Sequence, residues 1–82
     1  MKTLWLITFR SVTFAQRAQS RLQGAGIASS IQRTPTGLSD RGCSYSLRLR
    51  QWDIHESLEA LQGVPYSQVF LQTEGGWEQW QP

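Results

Sequence analysis

The chain contains very little cysteine: Cys43 is the only one in 82 residues. A single thiol cannot form an internal disulfide, and small secreted domains normally carry an even set of cysteines to compensate for a limited core. With His55 as the only histidine, the chain also offers too few soft ligands for a structural zinc site, which needs four. We therefore expect a reducing, cytoplasmic setting with no metal and no cofactor.

Long apolar runs and enzyme motifs are also missing. No segment approaches the roughly 20 apolar residues of a membrane span. Arg10 interrupts the apolar run that follows Lys2, which predicts a buried strand over residues 4–9 rather than a signal peptide. There is no phosphate-binding glycine loop, nucleophile elbow or pair of catalytic carboxylates. We expect no membrane partner and no self-contained enzyme.

Basic residues are absent from the last part of the chain. Residues 1–50 contain every lysine and arginine and a single acid, Asp40, whereas residues 51–82 contain five acids and no base. Such a division could steer an anionic ligand to one region, or it could let neighbouring chains attract one another.

The apolar periodicity alternates between 2 and 3.6 residues, which distinguishes strands from helices. The predicted elements are a strand at residues 3–9, a helix at 13–23, a strand at 27–33, a loop at 35–42, a strand beginning at Cys43, a helix beginning at Asp53 and a strand at 66–73. This order predicts an α+β fold, the ferredoxin-like βαββαβ sandwich, with a four-stranded antiparallel sheet and both helices on one face. Strands one and three should lie in the middle.

We assign residues 1–76 to this single domain and residues 77–82 to a short tryptophan-rich C-terminal tail. The tail could add a strand, cover a sheet edge or dock on another chain. A homo-oligomer that forms through the open sheet face or through Trp77 and Trp80 is therefore one expectation.

Two rows of side chains alternate along the predicted third strand. One row contains Cys43, Tyr45, Leu47 and Leu49 and is expected to face the core. The other row contains Ser44, Ser46, Arg48 and Arg50 and is expected to face solvent or a ligand.

Cys43 is either a packed apolar residue or a reactive group. Free cysteine is among the most buried residue types, which favours packing. In contrast, a thiolate is favoured by nearby arginines and by oriented backbone N–H groups. Arg41 and Gly42 could provide these, and the hydroxyls of Ser39 and Ser44 are additional donors. On the residues alone, both interpretations stay open.

Several motifs are shared with a known family. They run from the first strand through the first helix to the loop and the third strand: Thr8-Phe9-Arg10-Ser11, Gly24-Ala25-Gly26-Ile27, Thr34-Pro35, Leu38-Ser39, Gly42-Cys43 and Leu47-Arg48. With these motifs the chain resembles the selenium/sulfur (Se/S) carrier protein-like family, a group of short bacterial proteins.

The resemblance implies that Cys43 accepts sulfur or selenium as a persulfide or selenosulfide and passes it on. The loop from Pro35 to Gly42 would then present the thiol. The implied partner is a cysteine desulfurase or another enzyme that handles sulfur or selenium, and the chain would be a carrier rather than an enzyme.

A different function class is a small binding or oligomerisation module with a structural cysteine. Residues 41–46 partly match the RNA-recognition signature, which requires Lys/Arg, Gly and alternating aromatic residues. However, Cys43 and Arg48 stand where the signature requires its first and last aromatic residues. Tyr45 belongs to the core-facing row. The C-terminal acids also oppose a phosphate backbone, so nucleic acid is not the expected partner.

Overall fold

The structure is a computed structural model that describes residues 2–35, 37–38 and 45–81. Along the chain these form β1 (Thr3–Phe9), α1 (Val12–Gly24), β2 (Ser30–Arg33), β3 (Tyr45–Gln51), α2 (Ile54–Ala60), β4 (Val69–Thr73) and β5 (Gly76–Trp80). The sheet order is β2-β3-β1-β4-β5, and each neighbouring pair is antiparallel. The α+β class is confirmed, and so is the placement of the first and third strands in the middle of the first four.

One face of the sheet packs against both helices. Alternate residues of β1 and β3 on that face join one apolar cluster with residues of α1 and α2. The strand members are Trp5, Ile7, Phe9, Leu47 and Leu49, and the helix members are Ala15, Ala18, Leu22 and Ile54. Full burial of one large side chain in such a cluster contributes roughly 1.5–3 kcal/mol. This face therefore holds the core, and the core-facing row of β3 is confirmed from Tyr45 onward.

Both helices begin directly after a residue whose side chain caps them. The Ser11 hydroxyl oxygen accepts a hydrogen bond from the Phe14 backbone N–H at 3.2 Å, and Asp53 caps α2 by accepting from the His55 N–H at 2.9 Å. These bonds satisfy backbone donors that have no partner inside the helix.

β2 is shorter than the alternating pattern predicts. It begins at Ser30 instead of Ile27, because the backbone N–H of Ile27 donates to the Leu22 carbonyl at 2.8 Å and closes the end of α1. Gly26 precedes it at a φ of 80°, a conformation that favours glycine. Ile27 still enters the core, but its predicted strand conformation is wrong. The fourth predicted strand likewise begins late, at Val69.

The sheet has one strand more than the predicted four. Residues 76–80 pair with β4 as β5, with Thr73 opposite Gly76 across a two-residue connection. Gly76 has a φ of 126°, which requires glycine at this tight turn. Trp80 then packs edge-on against Trp5, with ring centroids 5.8 Å apart. The tail therefore adds a strand to the sheet, and this strand covers the outer edge of β4.

The helices of the described residues are short. The longer one, α1, has 13 residues. Neither has the length and apolar character needed to cross a membrane.

Candidate functional site

The predicted site lies in the connection between β2 and β3, and both ends of this connection belong to paired strands. Arg33, the last residue of β2, is paired with Tyr45, the first residue of β3. Facing residues in an antiparallel pair are about 5 Å apart, so the register fixes where the connecting segment leaves and rejoins the sheet. The Arg33 guanidinium carbon lies 5.8 Å from the centroid of the Tyr45 ring, which adds a cation–π contact at this closing pair.

Pro35 is the one predicted site residue that the structure describes. It is half-buried, and its carbonyl accepts a hydrogen bond from the Leu38 N–H at 3.1 Å. Gly37, inside this turn, has a φ of 93°, which favours glycine. The turn therefore reverses the chain directly after β2. Cys43 and its predicted supporting residues Ser39, Arg41, Gly42 and Ser44 lie outside the described residues.

Buried polar oxygens surround the base of this connection. Ser46, two residues into the strand, is fully buried, although its row was predicted to face solvent or a ligand. Its hydroxyl has no hydrogen-bond partner among the described residues, and the same holds for the buried side-chain oxygens of Thr34 and Gln68. An unsatisfied buried polar atom costs about 1–3 kcal/mol. These atoms therefore have hydrogen-bonding capacity that no described residue uses.

Thr8 fixes the neighbouring end of β1. It is fully buried and lies directly opposite Ser46 in the sheet. Its hydroxyl accepts from the Gln68 N–H at 3.0 Å and lies 3.4 Å from the Gln68 carbonyl oxygen. These bonds attach the segment before β4 to β1 and hold Gln68 beside the base of the connection.

Sequence reasoning missed Ser46, Thr34 and Gln68 as members of the candidate site. Period-2 alternation assigned Ser46 to the correct row, together with Arg48 and Arg50. Those arginines are exposed as predicted. Alternation predicts which face of the sheet a residue lies on, but not how deeply the residue is buried. The only available signal was that Ser46 lies between two residues of the core-facing row.

Tyr45 and Arg48 lie on opposite faces of β3. Tyr45 is half-buried and packs against the helix-side core, whereas Arg48 is exposed on the other face. The two residues therefore do not form a common surface on which a nucleotide base could stack beside an arginine.

His55 and Asp53 form an exposed pair at the start of α2. The His55 Nδ1 lies 2.6 Å from an Asp53 carboxylate oxygen. The pKa of Asp53 is held below its ordinary value, mainly by the hydrogen bond from the His55 backbone N–H and secondly by this ring contact. His55 is exposed, and its ring centroid lies 5.2 Å from that of Trp80. Within the described ranges, no three His, Cys, Asp or Glu side chains are grouped so that they could hold a metal ion.

Comparison with known proteins gives one match. Residues 4–71 match the family model described as "Putative Se/S carrier protein-like". No curated protein and no solved structure matches the chain. The matched range includes β1 through most of β4, the connection between β2 and β3, and the single cysteine.

Proposed function

The chain belongs to the Se/S carrier protein-like family, and we propose that it carries sulfur or selenium on Cys43. The observation that supports this most strongly is that the family match extends across the chain's only thiol. A carrier of sulfane sulfur needs one nucleophilic sulfur and little other chemistry, which suits a small domain without catalytic motifs.

The geometry around the β2–β3 connection is consistent with this role. Two paired strand ends hold the connection, and Pro35 and Gly37 begin it with a turn. At its base, Ser46, Thr34 and Gln68 provide buried oxygens without partners among the described residues. A hydroxyl can donate a hydrogen bond to an anionic sulfur, so Thr34, which lies in the connection itself, is suited to stabilise a loaded group.

The proposed transfer is an exchange at sulfur. The Cys43 thiolate attacks the terminal sulfur of a donor enzyme's persulfide, forms a new S–S bond and releases the donor's cysteine as a thiolate. Cys43 then holds a persulfide, and an acceptor nucleophile removes the terminal sulfur and regenerates the Cys43 thiolate. One neutral sulfur atom moves in each step, so no external oxidant or reductant is required. With selenium, the same exchange gives a selenosulfide.

The supporting residues and the partner follow from this chemistry. Arg41, Gly42, Ser39 and Ser44 flank the thiol in sequence and would favour its ionised form. The donor would be a cysteine desulfurase or another enzyme that handles sulfur or selenium. Because a reducing compartment keeps a lone thiol free, the cytoplasm is the proposed location.

Intact-mass spectrometry tests the proposal. The native chain is incubated with a cysteine desulfurase and cysteine, the small thiols are removed, and the mass is measured without reductant. We expect the mass of one added sulfur atom, located at Cys43 by peptide mapping and lost on treatment with dithiothreitol.

The matched control is Cys43→Ser, which keeps a small polar side chain and removes the only thiol. It should gain no sulfur under the same conditions. A native chain that stays unloaded while a known sulfur carrier is loaded in parallel would refute the carrier function. The cysteine would then be a packing residue of a small binding module.

A further inference from the structure

A concave cleft of about 500 Å³ lies at the end of the sheet that is opposite to Tyr45 and the β2–β3 connection. It is formed by the start of β1, the end of β3 and the segment that enters β2. Among the described residues, its lining contains three cationic side chains, Lys2, Arg48 and Arg50, and no carboxylate. The volume is within the range of small-molecule sites, about 300–1,000 Å³.

The sheet register brings the three cations together. Leu4 lies opposite Arg50, and Leu6 lies opposite Arg48. Lys2 is two residues before Leu4, and alternate residues of a strand share a face, so all three cations belong to the face that the helices leave uncovered. Neighbours on one face are about 7–8 Å apart along a strand or diagonally across it.

Like charges at this spacing repel one another. Arg50 is the next neighbour of both Lys2 and Arg48 on this face, and that backbone spacing is shorter than the Debye length of about 10 Å at 0.1 M salt, so the cations act together on a ligand. No carboxylate of the described residues forms an ion pair with any of them. An anion bound between the cations would remove this repulsion.

Neutral donors and open space complete the cleft. Ser29 and Ser30 line it from the β2 side, and the buried Ser29 hydroxyl has no hydrogen-bond partner within the described ranges. Gly26, also in the lining, has no atom within 4 Å of the position that a Cβ would occupy. Two guanidinium forks, one ammonium and two hydroxyls suit the oxygens of a phosphate group.

We propose that this cleft binds a small phosphate-bearing anion through Lys2, Arg48 and Arg50. A small ligand is favoured over a nucleic acid because the part of the lining that the structure describes has no aromatic side chain on which a base could stack. The inference goes beyond the carrier function, because none of these contacts involves Cys43.

Isothermal titration calorimetry with inorganic pyrophosphate, at low salt, tests the proposal. Saturable binding with one site is expected. Arg48→Gln and Arg50→Gln should each weaken binding by about tenfold or more, because each removes a charge-assisted contact. Both arginines are exposed, and circular dichroism should show that both variants fold.

The matched control is Arg17→Gln, which removes the same charge from an exposed position on α1 outside the cleft. It should change affinity less than twofold. An equal loss in Arg17→Gln and Arg48→Gln would show general charge attraction and overturn the proposal, as would the absence of saturable binding. A single-stranded RNA that binds more tightly than pyrophosphate and loses affinity in Arg48→Gln would assign the surface to nucleic acid instead.

Cys43→Ser separates this inference from the carrier function. The variant should bind pyrophosphate with unchanged affinity, whether or not the native chain accepts sulfur. A loss of binding in Cys43→Ser would place the ligand at the thiol and contradict the cleft assignment.

Discussion

Ser57 is a polar residue in the buried stripe of α2. Its side chain is fully buried, and its hydroxyl has no hydrogen-bond partner among the described residues. The neighbouring members of the stripe, Ile54 and Leu61, are apolar and also buried. The hydroxyl therefore loses its hydration on folding without a compensating bond, which reduces the stability of the native state.

Ser57→Ala is predicted to stabilise the protein. It removes the unpaired hydroxyl and introduces a better helix former, so the free energy of unfolding should rise by about 1 kcal/mol or more. Urea denaturation followed by circular dichroism measures this. Ser20→Ala, at an exposed position of α1, is the matched control and should gain only about 0.5 kcal/mol from helix propensity. An equal gain in both variants would mean that the buried hydroxyl carries no penalty.

At the level of secondary structure, β5 is held by its aromatic contacts as well as by its pairing with β4. Trp80 packs against Trp5 of β1 and against the His55 ring of α2, so it links the last strand to both the central strand and a helix. The Trp5 indole N–H in turn donates to the Gln51 carbonyl at 3.1 Å, at the end of β3. The last strand is therefore an integral part of the sheet.

Trp80→Ala is predicted to lower the free energy of unfolding by about 1–3 kcal/mol, because it removes a half-buried aromatic surface and two edge-on ring contacts. Trp52→Ala is the control, since Trp52 is 68% exposed, and it should change stability by no more than about 0.5 kcal/mol. Guanidinium denaturation gives both values. If the two variants lose the same amount, the contacts of Trp80 are not what holds β5.

The elements that the sequence predicted well are those with a strong local signal. β1 matches its apolar run from Thr3 to Phe9, and α1 follows from Ser11 as cap and from apolar residues at helical spacing. β5 lacks such a signal, because Trp77 and Trp80 are three residues apart and do not alternate. Its pairing depends on contacts with β4 and Trp5, which are distant in sequence.

The candidate site was predicted in part. The sequence predicted a loop at residues 35–42 between two strands, with Cys43 at the start of the second, and the pairing of Arg33 with Tyr45 confirms the two strands. It did not reveal the buried oxygen of Ser46, because alternation says nothing about what covers the second face of a sheet. It also did not bring Lys2 next to Arg50, because that proximity requires the antiparallel register of β1 and β3.

At the scale of the whole molecule, positive charge is concentrated in residues 1–50 and negative charge in residues 51–82. In the fold, these positive and negative residues lie on different elements. The cations of the proposed anion cleft are Lys2, directly before β1, and Arg48 and Arg50 of β3, while Asp53 caps α2 and Glu56 and Glu59 lie within it. Opposite charges at different places on one small domain can orient it toward a partner during encounter.

The central claim is that the one thiol is an open, reactive group and not a packing residue. It is tested most directly by the rate at which iodoacetamide alkylates Cys43 in the native chain, measured by intact mass across the pH range and compared with the same chain in denaturant. We predict that the native thiol reacts at least as fast as the unfolded one at neutral pH, and that its rate reaches half its maximum at a lower pH, because the proposed donors Arg41 and Gly42 would favour the thiolate. A native rate roughly ten or more times slower than that of the unfolded chain would show a sealed sulfur and contradict the carrier function.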